Sequence, residues 1–244
     1  MACADTARMN LRIASAVPDP PFEFFENGEP AGFDVELTRA IASKLGAQWQ
    51  FVPYAGDDFN GIFAGLSDGT CDVVASGTTI TPARQTVAAF ARPYIRSGQS
   101  LAVNVQATPH VRSVEDLHGL SVGIQRGNTS EAVAQKLLDE GKIAKIAWYA
   151  YHDIEIALGD LEAGRIGAVI KLEPVLRALV ETHPALSVVQ AGLTDELIAY
   201  AVAPANGELC ERINDAQKAL LEDGSIDALA RKWFARTVHT AVYR

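Results

Sequence analysis

The sequence predicts an α/β protein of two lobes, each a parallel-type sheet flanked by helices, with two crossover strands as the hinge. Three observations predict this. Strand-like and helix-like patterns alternate through the first hundred residues. A second alternating series opens after a polar break at 106–112. Strand-like runs at 101–103 and 197–202 join the two series. The expected division is residues 1–101 with 202–244 as lobe 1, and 102–201 as lobe 2.

In the first series, residues 11–15 alternate and predict a strand. Pro18, Pro20 and Pro21 fix φ and remove donors, so residues 18–24 form a rigid turn. Asn27-Gly28 predicts a hairpin tip. Leu37, Ile41 and Leu45 recur at helical spacing, and Gly46 supplies the stop. Residues 49–54 form the second strand, 59–66 a short helix, and the β-branched run 71–75 a buried strand. Ligands of such sheets sit at the carboxyl ends of the strands, where Asp19, Phe59 and residues 76–79 fall.

In the second series, residues 113–117 and the strand 121–124 come first. Asn128 with Glu131 three residues later is a capping-box pattern, placing Gly127, Asn128 and Thr129 at a helix N-terminus. A helix at 154–161, a strand at 167–170 and a helix from Pro174 to about 182 follow. Residues 210–234 close the chain as two amphipathic helices.

Composition narrows the function classes. With 48% hydrophobic and 21% charged residues, the chain is an ordinary globular one. A net charge of −9 argues against nucleic acid. No apolar run is long enough to span a membrane, and the N-terminal residues lack the apolar stretch of a leader, so an exported form has lost it. Cys3, Cys71 and Cys210 match no metal or redox spacing, and no metal or cofactor is expected. Cys3 is either a lipid-attachment cysteine or a stray thiol. A Cys71–Cys210 disulfide is conceivable in an oxidising compartment.

The organising stretch is Ser76-Gly77-Thr78-Thr79-Ile80-Thr81-Pro82-Ala83-Arg84. Thr81-Pro82 reads as an N-cap with proline at the first helical position, which puts Arg84 at about the third. A cation there opposes the helix dipole, and an anion held against the guanidinium and the free N–H groups reverses that sign. A solvated surface arginine is the competing reading.

This run, with FARPY at 90–94, resembles the extracellular solute-binding proteins for polar amino acids, the periplasmic receptors of ABC importers. AGFDVEL at 31–37, the QRGNTSE loop at 125–131 and the ending LLEDGSIDALARKWF are similar to the same family, so the resemblance covers about residues 10 to 235. It implies a two-lobed periplasmic-binding-protein-like fold that closes on a carboxylate-bearing solute, delivered by a monomer to membrane permease subunits. It implies Arg84 as the carboxylate clamp, with Ser76, Gly77 and Thr79 adding hydrogen bonds and Phe59 packing on the ligand. Gly127, Asn128 and Thr129 meet it from the other lobe.

One departure stands out. The family's aspartate for the ligand α-ammonium corresponds to Leu172, and Asp19 replaces an aromatic. Either Asp19, Glu173 or Asp153 holds the amine, or the ligand has none there, as in an organic acid, an opine or a modified amino acid. If Leu172 faces the cleft, Lys171 and Glu173 should point away. Two rivals stay open. An enzyme on the same fold, cyclohexadienyl dehydratase-like, would use Glu173 or Asp19 as its acid, although no catalytic motif is present. A sensor's ligand-binding domain is the other.

Overall fold

The computed structural model describes residues 9–235, 237 and 240–244, and Cys3 lies outside them. The chain opens with β1 (Asn10–Ala16), which buries Leu11 and Ile13. The hairpin of β2 (Phe24–Glu26) and β3 (Glu29–Ala31) follows. Its tip residues Asn27 and Gly28, at φ 52° and 84°, take the positive φ that a tight hairpin turn needs. Helix α1 (Phe33–Lys44) lays Phe33, Leu37 and Ile41 on the core. It starts behind Gly32 at φ 122°, where a Cβ would overlap the Phe22 carbonyl.

Strand β4 (Gln48–Tyr54), a 3-10 turn at Phe59–Phe63 and α2 (Ala64–Asp68) come next. Then follow β5 (Val73–Val74), α3 (Pro82–Gln85) and β6 (Ala89–Phe90). Strands β7 (Ile95–Ser97) and β8 (Gln99–Asn104) carry the chain across. The second lobe contains β9 (Ser121–Gln125), α4 (Ser130–Asp139), β10 (Lys145–Tyr149) and α5 (Ile154–Glu162). It continues with β11 (Ala168–Leu172), α6 (Glu173–Val180) and β12 (Leu186–Gln190). Strands β13 (Glu196–Ile198) and β14 (Ala201–Val202) bring the chain back. Helices α7 (Gly207–Glu222) and α8 (Ser225–Trp233), with β15 (Ala241–Val242), close it.

Each lobe has a five-stranded sheet, in the orders β4-β1-β5-β14-β6 and β10-β9-β11-β8-β12. Both are mixed rather than wholly parallel. Strands β4, β1 and β5 run parallel, as do β10, β9 and β11, while β14 and β8 run antiparallel to their neighbours. The reason is connectivity. β8 and β14 arrive directly from the other lobe with no crossover helix to reverse them, so they enter at the edge where the parallel strands end.

That changes the expected hinge. Residues 101–103 sit inside the second sheet, paired with β11 and β12. The strand expected at 197–202 is broken in two. The paired crossover is β7 against β13, in a small sheet completed by β15.

Cys71 and Cys210 are free, buried and in different apolar clusters, so the conceivable disulfide is absent. Among the described residues no helix is long and apolar enough to cross a membrane.

Candidate functional site

The strand ends of both lobes meet at a small cavity. It is lined from the first lobe by Asp19, Phe59, Ser76, Gly77, Thr79 and Arg84. Gln99, Asn128, Thr129, Lys171 and Leu172 line it from the second. A larger outer groove shares Arg84, Asn128 and Thr129 with it and is also lined by Phe63, Val87 and Trp148.

Arg84 is placed by local sequence. Thr81 caps α3 by accepting from the Arg84 N–H at 3.1 Å, with Pro82 behind it, as its residue types predict. The helix is one turn long and this N–H is taken, so the anion-binding group here is the side chain rather than the helix end. Arg84 is 6% exposed and its guanidinium lies over the Phe59 ring, 4.6 Å from its centroid, so it is no surface arginine. Its donors meet neutral oxygens: Asn60 Oδ1 at 3.1 Å, the Thr79 carbonyl at 3.0 Å and, across the cleft, the Gly127 carbonyl at 3.0 Å. Burial pushes its pKa down to about 10, and Glu196 partly opposes this. A desolvated cation bonded only to neutral groups favours an incoming carboxylate.

The other expected donors of the first lobe are already committed. Ser76 donates to Glu23 at 2.6 Å and the Gly77 N–H to Asp34 at 2.8 Å. Thr79 donates to Glu196 at 2.5 Å. They line the cavity, but their polar groups tie it to a buried acidic framework. Burial, then the charges of Asp34 and Asp19, raise the Glu23 carboxyl well above the carboxylate range. Burial lifts Asp34 to about 7.

In the second lobe the capping box does not form. Asn128 donates to Gln125 at 3.2 Å, and the Glu131 carboxylate reaches back to the Gly127 N–H at 2.5 Å. Glu131 therefore fixes the loop that brings Gly127 to Arg84. Gly127 lines the outer groove rather than the inner cavity. Thr129 donates to Glu196 at 2.9 Å, so that hinge carboxylate ties Thr79 of one lobe to Thr129 of the other.

Leu172 lines the cavity, as its position predicts. Lys171 does so too, against the expected alternation, because the chain turns into α6 immediately after Leu172. Its Nζ lies 3.1 Å from Asp19 Oδ2 and 2.5 Å from Gln125 Oε1. Tyr151 donates to the same Asp19 oxygen at 2.6 Å. Glu173 is a correction: it is fully buried away from the cavity, 2.7 Å from Arg177, and is in place neither for an amine nor as an acid there. Asp153 stands beside His152 at the start of α5 and does not line the cavity.

Sequence reasoning missed Gln99, Lys171, Tyr151, Gln125, Glu196 and Asn60. Gln99 sits here because antiparallel β8 begins where β11 ends, pairing Gln99 with Leu172. Lys171 and Gln125 carried a signal, as polar residues closing apolar strand runs.

Comparison with known proteins agrees with this architecture. The profile of the bacterial extracellular solute-binding proteins, family 3, matches residues 11–236. ABC transporter arginine-binding protein 1 of Escherichia coli (strain K12) is 30% identical over 235 residues, covering 94% of this chain and 92% of that protein. An ancestral arginine-binding protein solved with arginine superposes with a TM-score of 0.84 at 36% identity, covering 93% of this chain and 99% of the other. An ancestral amino acid-binding protein described as a precursor of cyclohexadienyl dehydratase gives 0.82 at 34% identity, covering 92% and 95%. The chain belongs to family 3 of the bacterial extracellular solute-binding proteins.

Proposed function

We propose that the chain is the receptor of an ABC importer, capturing a carboxylate-bearing amino acid or amino-acid-like solute between its lobes. The observation that carries this is Arg84, a buried cation at the lobe junction with neutral partners and a cavity in front of it. It works as a monomer outside the cytoplasm and hands the solute to permease subunits. Relatives named as arginine-binding proteins support the solute class. The enzyme reading has little to stand on. Glu173 is turned away from the cavity, and Asp19 is engaged by Lys171 and Tyr151.

The lobes close about β7 and β13. Closure is held by Arg84 on the Gly127 carbonyl, the Phe59 N–H on the Arg126 carbonyl at 3.1 Å and the Tyr151 N–H on the Asp57 carbonyl at 2.8 Å. A solute shifts the population to the closed form only by touching both lobes. Small-angle scattering with and without the most stabilising compound from a thermal-shift screen of free and modified amino acids tests this. The radius of gyration should fall on binding, and an unchanged radius overturns closure.

Gly127 gives a sharper test. A Cβ there would overlap Asp58 Oδ1 and stand 2.7 Å from the Phe59 backbone nitrogen, both in the opposite lobe. Gly127→Ala also carries the strain of φ 79°, about 1–2 kcal/mol, whether the lobes are open or closed. The clash is added only on closing. Solute affinity should therefore drop at least about tenfold, a further ~1.4 kcal/mol, measured by calorimetry. Wild-type affinity in this variant would mean that the lobes do not meet there.

A further inference from the structure

The charges around the cavity do not suit a zwitterion. Its lining carries two cations, Arg84 and Lys171, and one carboxylate, Asp19. Asp19 is occupied: Oδ2 accepts from Tyr151 and Lys171, and Oδ1 lies 2.8 Å from the same lysine nitrogen. Glu196, next to the cavity, already takes donors from Thr79, Thr129, Thr194 and Gln99. Leu172 offers only hydrocarbon. An ammonium brought here loses its water, is repelled by both cations and meets only a carboxylate that Lys171 already neutralises.

Two acceptors of the lining make no hydrogen bond among the described residues: Asp19 Oδ1, held only by its ion pair with Lys171, and Gln99 Oε1, which faces no cation. Gln99 Oε1 belongs to a side chain 2% exposed and has no hydrogen-bond partner among the described residues. Its orientation is fixed from behind. Nε2 donates to Glu196 Oε1 at 3.1 Å, which turns the amide oxygen the other way. The same Nε2 donates to Thr129 at 2.9 Å. A buried amide oxygen without a donor is costly, and a neutral N–H or O–H from the solute removes that cost.

We infer that the solute carries a carboxylate for Arg84 and, on the adjoining carbon, a neutral N–H or O–H donor in place of an ammonium. N-acylated amino acids and 2-hydroxy acids share this chemistry. The inference rests on the receptor reading and names the ligand class of that site. Lys171 is its specificity-determining residue, because it keeps Asp19 from any incoming amine. The outer groove, which shares Arg84, Asn128 and Thr129 with the cavity, gives a bulky substituent somewhere to go.

The test is calorimetry on matched sets: arginine and glutamine, each as the free amino acid, the Nα-acetyl form and the 2-hydroxy acid. In each set, at least one modified form should bind at least tenfold tighter than the free amino acid. Lys171→Met, which frees Asp19, should narrow or reverse that preference. Free amino acids binding tighter than both modified forms overturn the inference and leave the receptor reading intact. A preference that Lys171→Met leaves unchanged overturns the role of Lys171. Failure of all six compounds to bind removes both the inference and the amino-acid-like reading.

Discussion

Arg84→Ala should cost roughly 2–5 kcal/mol of solute binding, about thirtyfold to several thousandfold in Kd. The size follows from what remains: a solute carboxylate pressed into a cavity with its cation gone. Arg84→Lys should recover only part, because a single ammonium cannot reproduce the planar fork that reaches Asn60, Thr79 and Gly127 together. The ligand-free protein should behave differently. Its guanidinium is disfavoured by burial, and in an open cleft water satisfies the carbonyls it leaves. Arg84→Met, which keeps a hydrocarbon stem against Phe59 and Phe63, should therefore melt within a few degrees of wild type or above it. Calorimetry and a thermal melt check the two halves. Binding within tenfold of wild type in Arg84→Ala would remove Arg84 from the site.

That separation explains why this arginine was legible from sequence. Its position depends on a local N-cap, Thr81-Pro82, whose geometry holds within one turn. The hairpin at Asn27-Gly28 and the stop at Gly46, φ 65°, were legible for the same reason. Gln99 was not, because its place depends on antiparallel pairing with Leu172, more than seventy residues away in the chain. Sequence placed the crossover at 101–103, whereas Gly98 divides residues 95–104 between hinge and sheet, with the Thr194 carbonyl packed against it. Glu196 was hidden likewise, at a hinge that sequence placed a few residues away. Asn128 failed as a cap because Glu131 found a better use in the Gly127 N–H, a competition the capping-box spacing does not reveal.

The acidic framework under the site predicts a pH dependence of opposite sign to the usual carboxylate. Asp34 is 1% exposed, accepts from the Gly77 N–H and the Tyr200 hydroxyl, and is lifted by burial to about 7. The folded chain therefore keeps this proton over a range in which the unfolded chain, with an ordinary value near ~3.9, has released it. The unfolded state binds fewer protons there, so stability falls as pH rises from about 4 to about 7 and is then flat. Between pH 5 and pH 8 the loss from this group is roughly 2–3 kcal/mol. Glu23, raised by burial and by Asp34 itself, acts in the same direction. Asp34→Asn keeps the shape and an acceptor for Gly77 but removes the titration. The wild type should therefore lose ground to Asp34→Asn between pH 5 and pH 8, in thermal melts at both pH values. Groups far from Asp34 cancel in that difference. The same gap at both pH values would show that Asp34 is ionised throughout and that its burial does not hold the proton.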